Sequence, residues 1–542
     1  MDECPGVRVN INWDDETDVV VVGFGAAGAC AAIEAASHGA SVAIVERFSG
    51  GGATAISGGV VYAGGGTHIQ RQAGIDDDVT AMNNYLRLEV EDAVSAATLS
   101  RFCQDSAPNL LWLEEQGVPF EASLCPVKTS YPTDDYFLYY SGNESQAPYR
   151  DHAKPAPRGH RAKGRSLPGR SLFDPLRRRV QSLGVKVHCH SIVDQLLLTS
   201  NGRVEGVAYR NLTGAAALTH GLLEKLAIKT VNYLPKMAKR LRRWSQNIER
   251  RFGKTLRVKA RMGVILAAGG FIYSRKMVTE YAPAYRRGMP LGTSGCAGLG
   301  IQLGQSVGGA VASMNRVSAW RFLNPPSAFT HGVLVNGQGL RFVNESLYGA
   351  HIGEAMVDDN GGKGILIVDE TLKKLARHQI GRKKTQWFQT APTLLNLWFN
   401  CRRARDIHQL AKNLDVPTQA LNETLTEYNF AIQNGLPDAF AKQTRTPLKP
   451  PYYSIDCSID STMWPLPTLT LGGLVVCEES GQVKRSDGSL IAGLYAAGRT
   501  AVGVCSRQYV SGLSIADCVF SGRRAGRCAS VQSHQSITTD GE

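Results

Sequence analysis

Three glycines and an acid give this chain its first legible chemistry. Gly23, Gly25 and Gly28 form G-x-G-x-x-G straight after an apolar, β-branched run at 18–22. Glu46 lies about twenty residues further on. The first glycine permits a tight turn, the second lets a pyrophosphate approach the backbone, and the third lets a helix pack closely on a strand. The carboxylate of Glu46, with Arg47 beside it, stands where a ribose hydroxyl is held. The elements that must position these groups follow in order. Residues 18–22 read as a buried parallel strand, 26–36 as a helix of small residues, and 41–45 as a second strand ending at the acid. The helix N-terminus, at Ala26 and Ala27, turns free N–H groups and the positive end of its dipole toward phosphates. This is the pattern of a dinucleotide site.

The neighbouring residues bear on which dinucleotide. The segment 50–66 is built from small residues, among them Gly52, Ala53, Thr54, Ser57, Gly58 and Gly59, so its backbone can pass close to a large flat ring. Val193 in a predicted hairpin strand, and Ala268 and Gly269 in VILAAGG, are further candidates for cofactor contact. A second half lies near the C-terminus. There a strand in 489–500 ends at Gly498 and Arg499, and a helix-like run from Ser511 begins with Leu513 and Ser514. Two separated halves closing on one dinucleotide make FAD the expected cofactor, on these residues together with the resemblance described below.

The chain has 542 residues, enough for two domains, with a globular balance of 43% hydrophobic and 20% charged residues. The fold expected is α/β. A dinucleotide-binding domain takes 1–315 and returns at 465–542, and an α+β substrate or capping domain occupies 316–464. No run of eighteen apolar residues is present, and the acidic N-terminus lacks the apolar core of a secretory signal. The twelve cysteines form no C-x-x-C pair, which fits reduced thiols in a cytoplasmic protein. His188, Cys189 and His190 alternate along a predicted strand, so their side chains diverge and no metal is expected. Residues 257–263 and 264–270 read as two successive strands. The stretch 130–170 shows no periodicity and is too long for an idle loop, so it is functional or folded against something else. The apolar run 387–399 reads as core packing more readily than as a pocket lining.

Charge is concentrated in an insertion at 214–256. Its apolar residues Leu223, Leu226, Leu234, Met237, Leu241, Trp244, Ile248 and Phe252 recur at helical spacing, broken near Pro235 into two helices. Between 224 and 261 there are thirteen Lys or Arg against two Glu, a net +11 in a chain of +13. A basic amphipathic helix with Trp and Phe fits a membrane interface, with 222–252 as the contact. An arm packing on its own protein or on a second subunit fits equally. Localisation is then cytoplasmic, with peripheral attachment to the inner membrane face left open. Nucleic acid is not expected, because no reading module accompanies the charge.

Together the fingerprint, GGGATAISGG, HGVLVNGQGLRFVNES and GLYAAGRT resemble the fumarate-reductase and succinate-dehydrogenase flavoprotein superfamily. The NESLY and RQYVSGLSIADCVFSGRRAG segments are most similar to flavin-dependent 3-ketosteroid dehydrogenases of the Δ4-(5α) type. The resemblance implies a Rossmann-like, glutathione-reductase-like FAD domain. It also implies dehydrogenation of C4–C5 beside a 3-ketone, an apolar steroid substrate and an electron acceptor that it does not specify. It puts Tyr509, Ser511 and Tyr348 on active-site positions. Such a reaction needs a base for the α-proton and a donor for the developing enolate, while flavin N5 receives the hydride. Tyr509 is the candidate base if its pKa is lowered, Ser511 its relay and Tyr348 a second phenol; a backbone N–H of the 509–512 turn is one candidate for polarising the ketone. Several departures narrow the family. Thr468 and Leu469 stand where fumarate reductases have histidine, and Tyr509 stands where they have a substrate arginine. No histidine in 50–59 offers a covalent flavin link, so FAD is expected to be non-covalent. VSGLS departs from the Δ1 enzymes. Alternatives left open are an enone reductase, a Δ1-dehydrogenase, a fumarate-reductase-like enzyme and a non-enzymatic electron-transfer flavoprotein.

Overall fold

A computed structural model describes residues 11–230 and 235–531. Leu234 of the apolar stripe and the residues before position 11 lie outside these. The strand Asp15–Val22 (β1) is followed by the helix Ala26–Ser37 (α1) and the strand Val42–Val45 (β2), as the sequence predicts. Val19, Val20 and Val21 are fully buried, because β1 is covered on both faces. The main sheet runs Gln482–Lys484, Leu490–Ala496, Lys254–Leu266, β1, β2, Lys186–His188. All these pairings are parallel except that of the first two strands. The predicted hairpin forms from Ser191–Leu198 and Val204–Asn211, and its second strand pairs with the start of Lys254–Leu266.

Two predicted strands at 257–270 are in fact one, Lys254–Leu266. Gly263 does not end the strand. A Cβ there would lie 2.9 Å from the Tyr495 ring, so the glycine gives room for a neighbouring strand's side chain. The alternation expected at 188–190 is also absent. The strand ends at His188, and His190 has φ +53, its ring nitrogen 3.1 Å from that of His220. No group of three or more potential metal ligands converges among the described residues, and the eleven described cysteines are free.

A second core is built on the antiparallel sheet Val333–Val335, Ile365–Asp369, Tyr452–Asp456, Cys401–Ala404, with helices including Glu370–Gln379 and Thr418–Gln433. A small sheet of Met289–Pro290, Pro467–Thr470 and Val317–Ala319 ties this part to the first.

The stretch 130–170 is folded against the main body. Leu138–Tyr139 and Gly159–Arg161 pair in a sheet that includes Val60–Tyr62. Arg158, fully buried, makes a two-pronged pair with Asp77 at 2.7 and 3.0 Å. Burial pushes the Asp77 carboxyl up, but the Arg158 contacts outweigh it and hold it below its ordinary range. Replacing Asp77 by Asn leaves a buried guanidinium unpaired, which costs about 3–5 kcal/mol. Thermal unfolding of Asp77→Asn is therefore expected well below that of the parent; an unchanged midpoint would show that the pair does not hold this segment in place.

Candidate active site

One cavity of about 820 Å³ runs from Glu46 at one end to Tyr509 and Tyr348 at the other. The fingerprint glycines do different jobs around its first end. Gly23 has φ +104, and a Cβ there would sit 2.6 Å from the Ala267 carbonyl oxygen. A Cβ on Gly28 would strike the Gly23 carbonyl, so this position serves helix packing and does not line the cavity. Gly25 lines it, with only Thr54 Oγ1 within 4 Å of a Cβ, at 3.7 Å. Gly25 also caps α1 without any side-chain bond, so most of the first-turn amides stay free. One, that of Ala26, donates to Thr54 Oγ1 at 3.1 Å.

The Glu46 carboxylate accepts the Phe24 amide at 2.7 Å and the Phe48 amide at 2.8 Å. Each oxygen keeps a lone pair for a ribose hydroxyl. Burial raises its pKa, against the pull of those two amides. Arg47 lines the cavity but is gripped from outside, by Glu249 of the insertion at 2.9 and 3.0 Å. Ala27, Gly52, Ala53, Ser57, Gly58, Val193, Ala268, Gly269, Arg499 and Ser514 also line the cavity.

Three further predicted positions do not. Gly59 instead passes the Pro168 carbonyl, 2.9 Å from where its Cβ would be, and Gly498 lies 2.8 Å from the Ala27 Cβ by the same measure. Leu513 is fully buried in the core at the start of the helix Leu513–Val531, whose Ser514, Ile515 and Cys518 turn toward the cavity instead. The residues present fit FAD. The cavity offers an uncapped helix N-terminus, an acid with free lone pairs, and the buried Arg499, whose Nη1 has no partner among the described residues.

The other end is different in character. Among the described residues lining the cavity, the charged ones are Glu46, Arg47 and Arg499. Of these, Arg499 lies within electrostatic reach of Tyr509. Leu469 lines the cavity, whereas Thr468 turns away and donates to the Met289 carbonyl at 3.1 Å. Tyr509, Ser511 and Tyr348 come together here from positions far apart in sequence. The Tyr509 ring packs on Trp320 at 4.7 Å, and Phe322 packs on Tyr348 at 5.3 Å. Ser511 Oγ is 3.1 Å from the Tyr139 hydroxyl, and Ser511 acts on Tyr348 against the effect of burial.

Burial pushes the pKa of Tyr509 up, with Arg499 and the Gly512 amide pulling the other way. It pushes Tyr348 and Tyr139 up as well. The shift at Tyr509 is opposite to the one a tyrosine base needs. Tyr139 and Tyr131 went unrecognised in the sequence, and the only signal was the unexplained 130–170 stretch that carries them. Most of the run 387–399 is not core, although Leu397 is buried in the second core and Leu394 packs against it. Trp387, Phe388, Pro392 and Leu395 line the cavity, and Trp398 and Phe399 are exposed. Pro392 inside the helix Trp387–Leu395 and the wider turn at Asn396–Asn400 keep these aromatics out of the second core.

If Glu46 holds the ribose, Glu46→Ala loses one charge-assisted hydrogen bond of about 1.5–3 kcal/mol. Equilibrium dialysis should then show FAD affinity down roughly 10- to 150-fold, with the cofactor of both proteins freed by acid. Unchanged affinity removes Glu46 from that role.

A family model described as "FAD binding domain" matches residues 18–514. The chain is 38% identical over 507 residues to the 3-oxo-5-alpha-steroid 4-dehydrogenase of Comamonas testosteroni, covering 91% of this chain and 94% of that one. It is similar, at 30% identity and a TM-score of 0.80, to the crystal structure of 3-ketosteroid-Δ4-(5α)-dehydrogenase from Rhodococcus jostii RHA1 in complex with 4-androstene-3,17-dione, over 97% and 99% of the two chains. The 3-ketosteroid Δ1-dehydrogenase structure from Sterolibacterium denitrificans shares the fold, with a TM-score of 0.63 at 18% identity over 96% and 100% of the two chains. With a two-ended cavity that fits FAD at one end and an uncharged ligand at the other, the chain belongs to the FAD-dependent 3-ketosteroid dehydrogenase family of flavoprotein oxidoreductases.

Proposed function

We propose that this protein desaturates the C4–C5 bond of a 3-ketosteroid. The observation that carries the reading is the aromatic-walled, hydroxyl-lined tyrosine end of the cavity. Arg499 is the single cation that acts on Tyr509, so a buried dicarboxylate would find at most one cationic partner, which is costly, while a neutral ketone needs only hydrogen-bond donors. The amides of α1, Glu46 and Arg499 would hold FAD, which when bound would supply a two-electron, hydride-accepting oxidant.

The rest falls to the chain's own hydroxyls. Tyr509, protonated because it is buried, is a donor to the ketone oxygen, and the Gly512 amide lies beside its hydroxyl. Ser511, 3.1 Å from the Tyr139 hydroxyl, takes the C4 proton while giving up its own to the neighbouring hydroxyls, which relay it to water at the cavity mouth. This assignment makes Ser511 the first proton acceptor in place of Tyr509; burial raises Tyr139 and Tyr348 as it raises Tyr509, so these phenols pass a proton on and do not keep it.

The basic helices Gly214–Thr230 and Pro235–Phe252 favour a membrane as a further partner. Their two acids both face inward. Glu249 binds Arg47 and His220, and Glu224 accepts from Ser294 at 2.6 Å. The outer face keeps Leu222, Leu226, Met237, Trp244 and Phe252 exposed among basic residues. No described helix is long and apolar enough to cross a bilayer, so contact would be interfacial.

Turnover of a saturated 3-ketosteroid with an artificial electron acceptor should be lost by about 10²–10³ in Tyr509→Phe and about 10²–10⁴ in Ser511→Ala. A steroid with a phenolic A ring mimics the enolate, and its binding should weaken in Tyr509→Phe and persist in Ser511→Ala. Intact analogue binding with turnover lost in Tyr509→Phe would return the base to Tyr509. A parent enzyme that turns over no saturated 3-ketosteroid defeats the reading.

A further inference from the structure

The steroid end of the cavity opens at a rim that is itself apolar. Leu167, Trp387, Leu395 and Met463 line the cavity and are nevertheless 36–62% exposed. Trp398 and Phe399 do not line it; they continue the same surface outward at 56% and 71% exposure. Exposed aromatics this dense are unusual on a surface meant to face only water.

The segment that carries most of these aromatics is basic, although Asp134, bonded to Gln386 at 2.8 Å, stands beside it. From Thr371 to Arg405 there are nine Lys or Arg and no Asp or Glu. Lys373 lies over the Tyr453 ring, and Lys374 is 3.5 Å from Glu370. Arg377, Arg382, Lys383, Arg402, Arg403 and Arg405 are exposed and make no ion pair with the described residues. The charge had been hidden in the whole-chain balance, where acids elsewhere offset it.

We infer that this rim docks on an anionic bilayer, so that the steroid passes between lipid and cavity without crossing water. Trp and Phe are suited to the headgroup boundary, and the basic residues flanking them in sequence supply attraction to acidic lipid. A second copy of the chain is a poorer occupant, because a symmetric contact would set the same unpaired cations against each other. The surface is distinct from the 214–252 hairpin, which packs against Arg47 and Ser294 at the dinucleotide end. The inference rests on the steroid reading only for its substrate; the docking itself does not depend on turnover.

The test uses full-length holoenzyme and vesicles of phosphatidylcholine with or without phosphatidylglycerol, at low salt. Three variants are compared with the parent. The first is Trp398→Ser with Phe399→Ser, and the second is Arg382→Gln with Lys383→Gln and Lys384→Gln. The third alters the hairpin: Leu222→Ser with Trp244→Ser and Phe252→Ser. Co-sedimentation with phosphatidylglycerol vesicles should fall roughly tenfold in each rim variant. Both rim variants should also lose the parent's faster turnover of vesicle-loaded steroid while keeping its turnover of dissolved steroid. If the rim variants sediment and turn over vesicle-borne steroid as the parent does, the inference is wrong, whatever the hairpin variant does. It is equally wrong if the parent ignores phosphatidylglycerol vesicles. A hairpin variant that binds as the parent does defeats only the hairpin contact. A parent that binds vesicles but oxidises no 3-ketosteroid defeats only the substrate assignment.

Discussion

The parallel pairing of β1 with Lys254–Leu266 is the constraint on which the site depends. It sets Gly23 against Ala267, closely enough that no other residue fits. It also presents the far edge of Lys254–Leu266 to Leu490–Ala496. The C-terminal segment thereby reaches the dinucleotide end, with Arg499 and then the helix Leu513–Val531 following from that strand. A Cβ on Gly522 would lie 2.5 Å from the Ala27 carbonyl oxygen, so this helix packs directly on α1. Two helix starts distant in sequence therefore border one cavity.

The tyrosine end depends on a different kind of glue. Its hydroxyls come from the 509–512 turn, from Tyr348 and from the 130–170 stretch. That stretch has little secondary structure of its own and is held by two buried guanidiniums, one with a buried acid and one with an exposed acid. Arg158 pairs with Asp77, while Arg161 binds Asp134 at 2.7 Å and donates to the Tyr131 hydroxyl at 2.8 Å. Paired charges of this kind stabilise little over a well-packed apolar core, but losing one partner is costly, so they fix a single arrangement. A site that must place several phenols near one ketone gains from that rigidity.

What could be read in the sequence was local. β1, α1 and β2 follow from apolar runs, small residues and three glycines, all within thirty residues. The helix Thr418–Gln433 follows from its own periodicity. What could not be read was set by distant neighbours. Gly263 looked like a break because the Tyr495 ring that needs its space lies over two hundred residues away. Gly59, Gly498 and Leu513 sit in motif positions, yet serve packing. Tyr139 was invisible because a segment held by ion pairs has no period. The aromatic run at 387–399 looked like core because hydrophobicity alone does not tell a buried face from the rim of an apolar cavity.

Desaturation at C4–C5 requires that the tyrosine end hold a 3-ketosteroid in position to give up hydrogen from both carbons. Anaerobic titration of the flavin-loaded protein with 5α- and 5β-3-ketosteroids, followed by flavin absorbance, tests it without any added acceptor. At least one of the two ring-junction isomers should bleach the flavin, with the matching 4-ene-3-ketone recovered. A flavin that stays oxidised with both, in protein whose FAD is reducible by dithionite, would contradict the steroid reading.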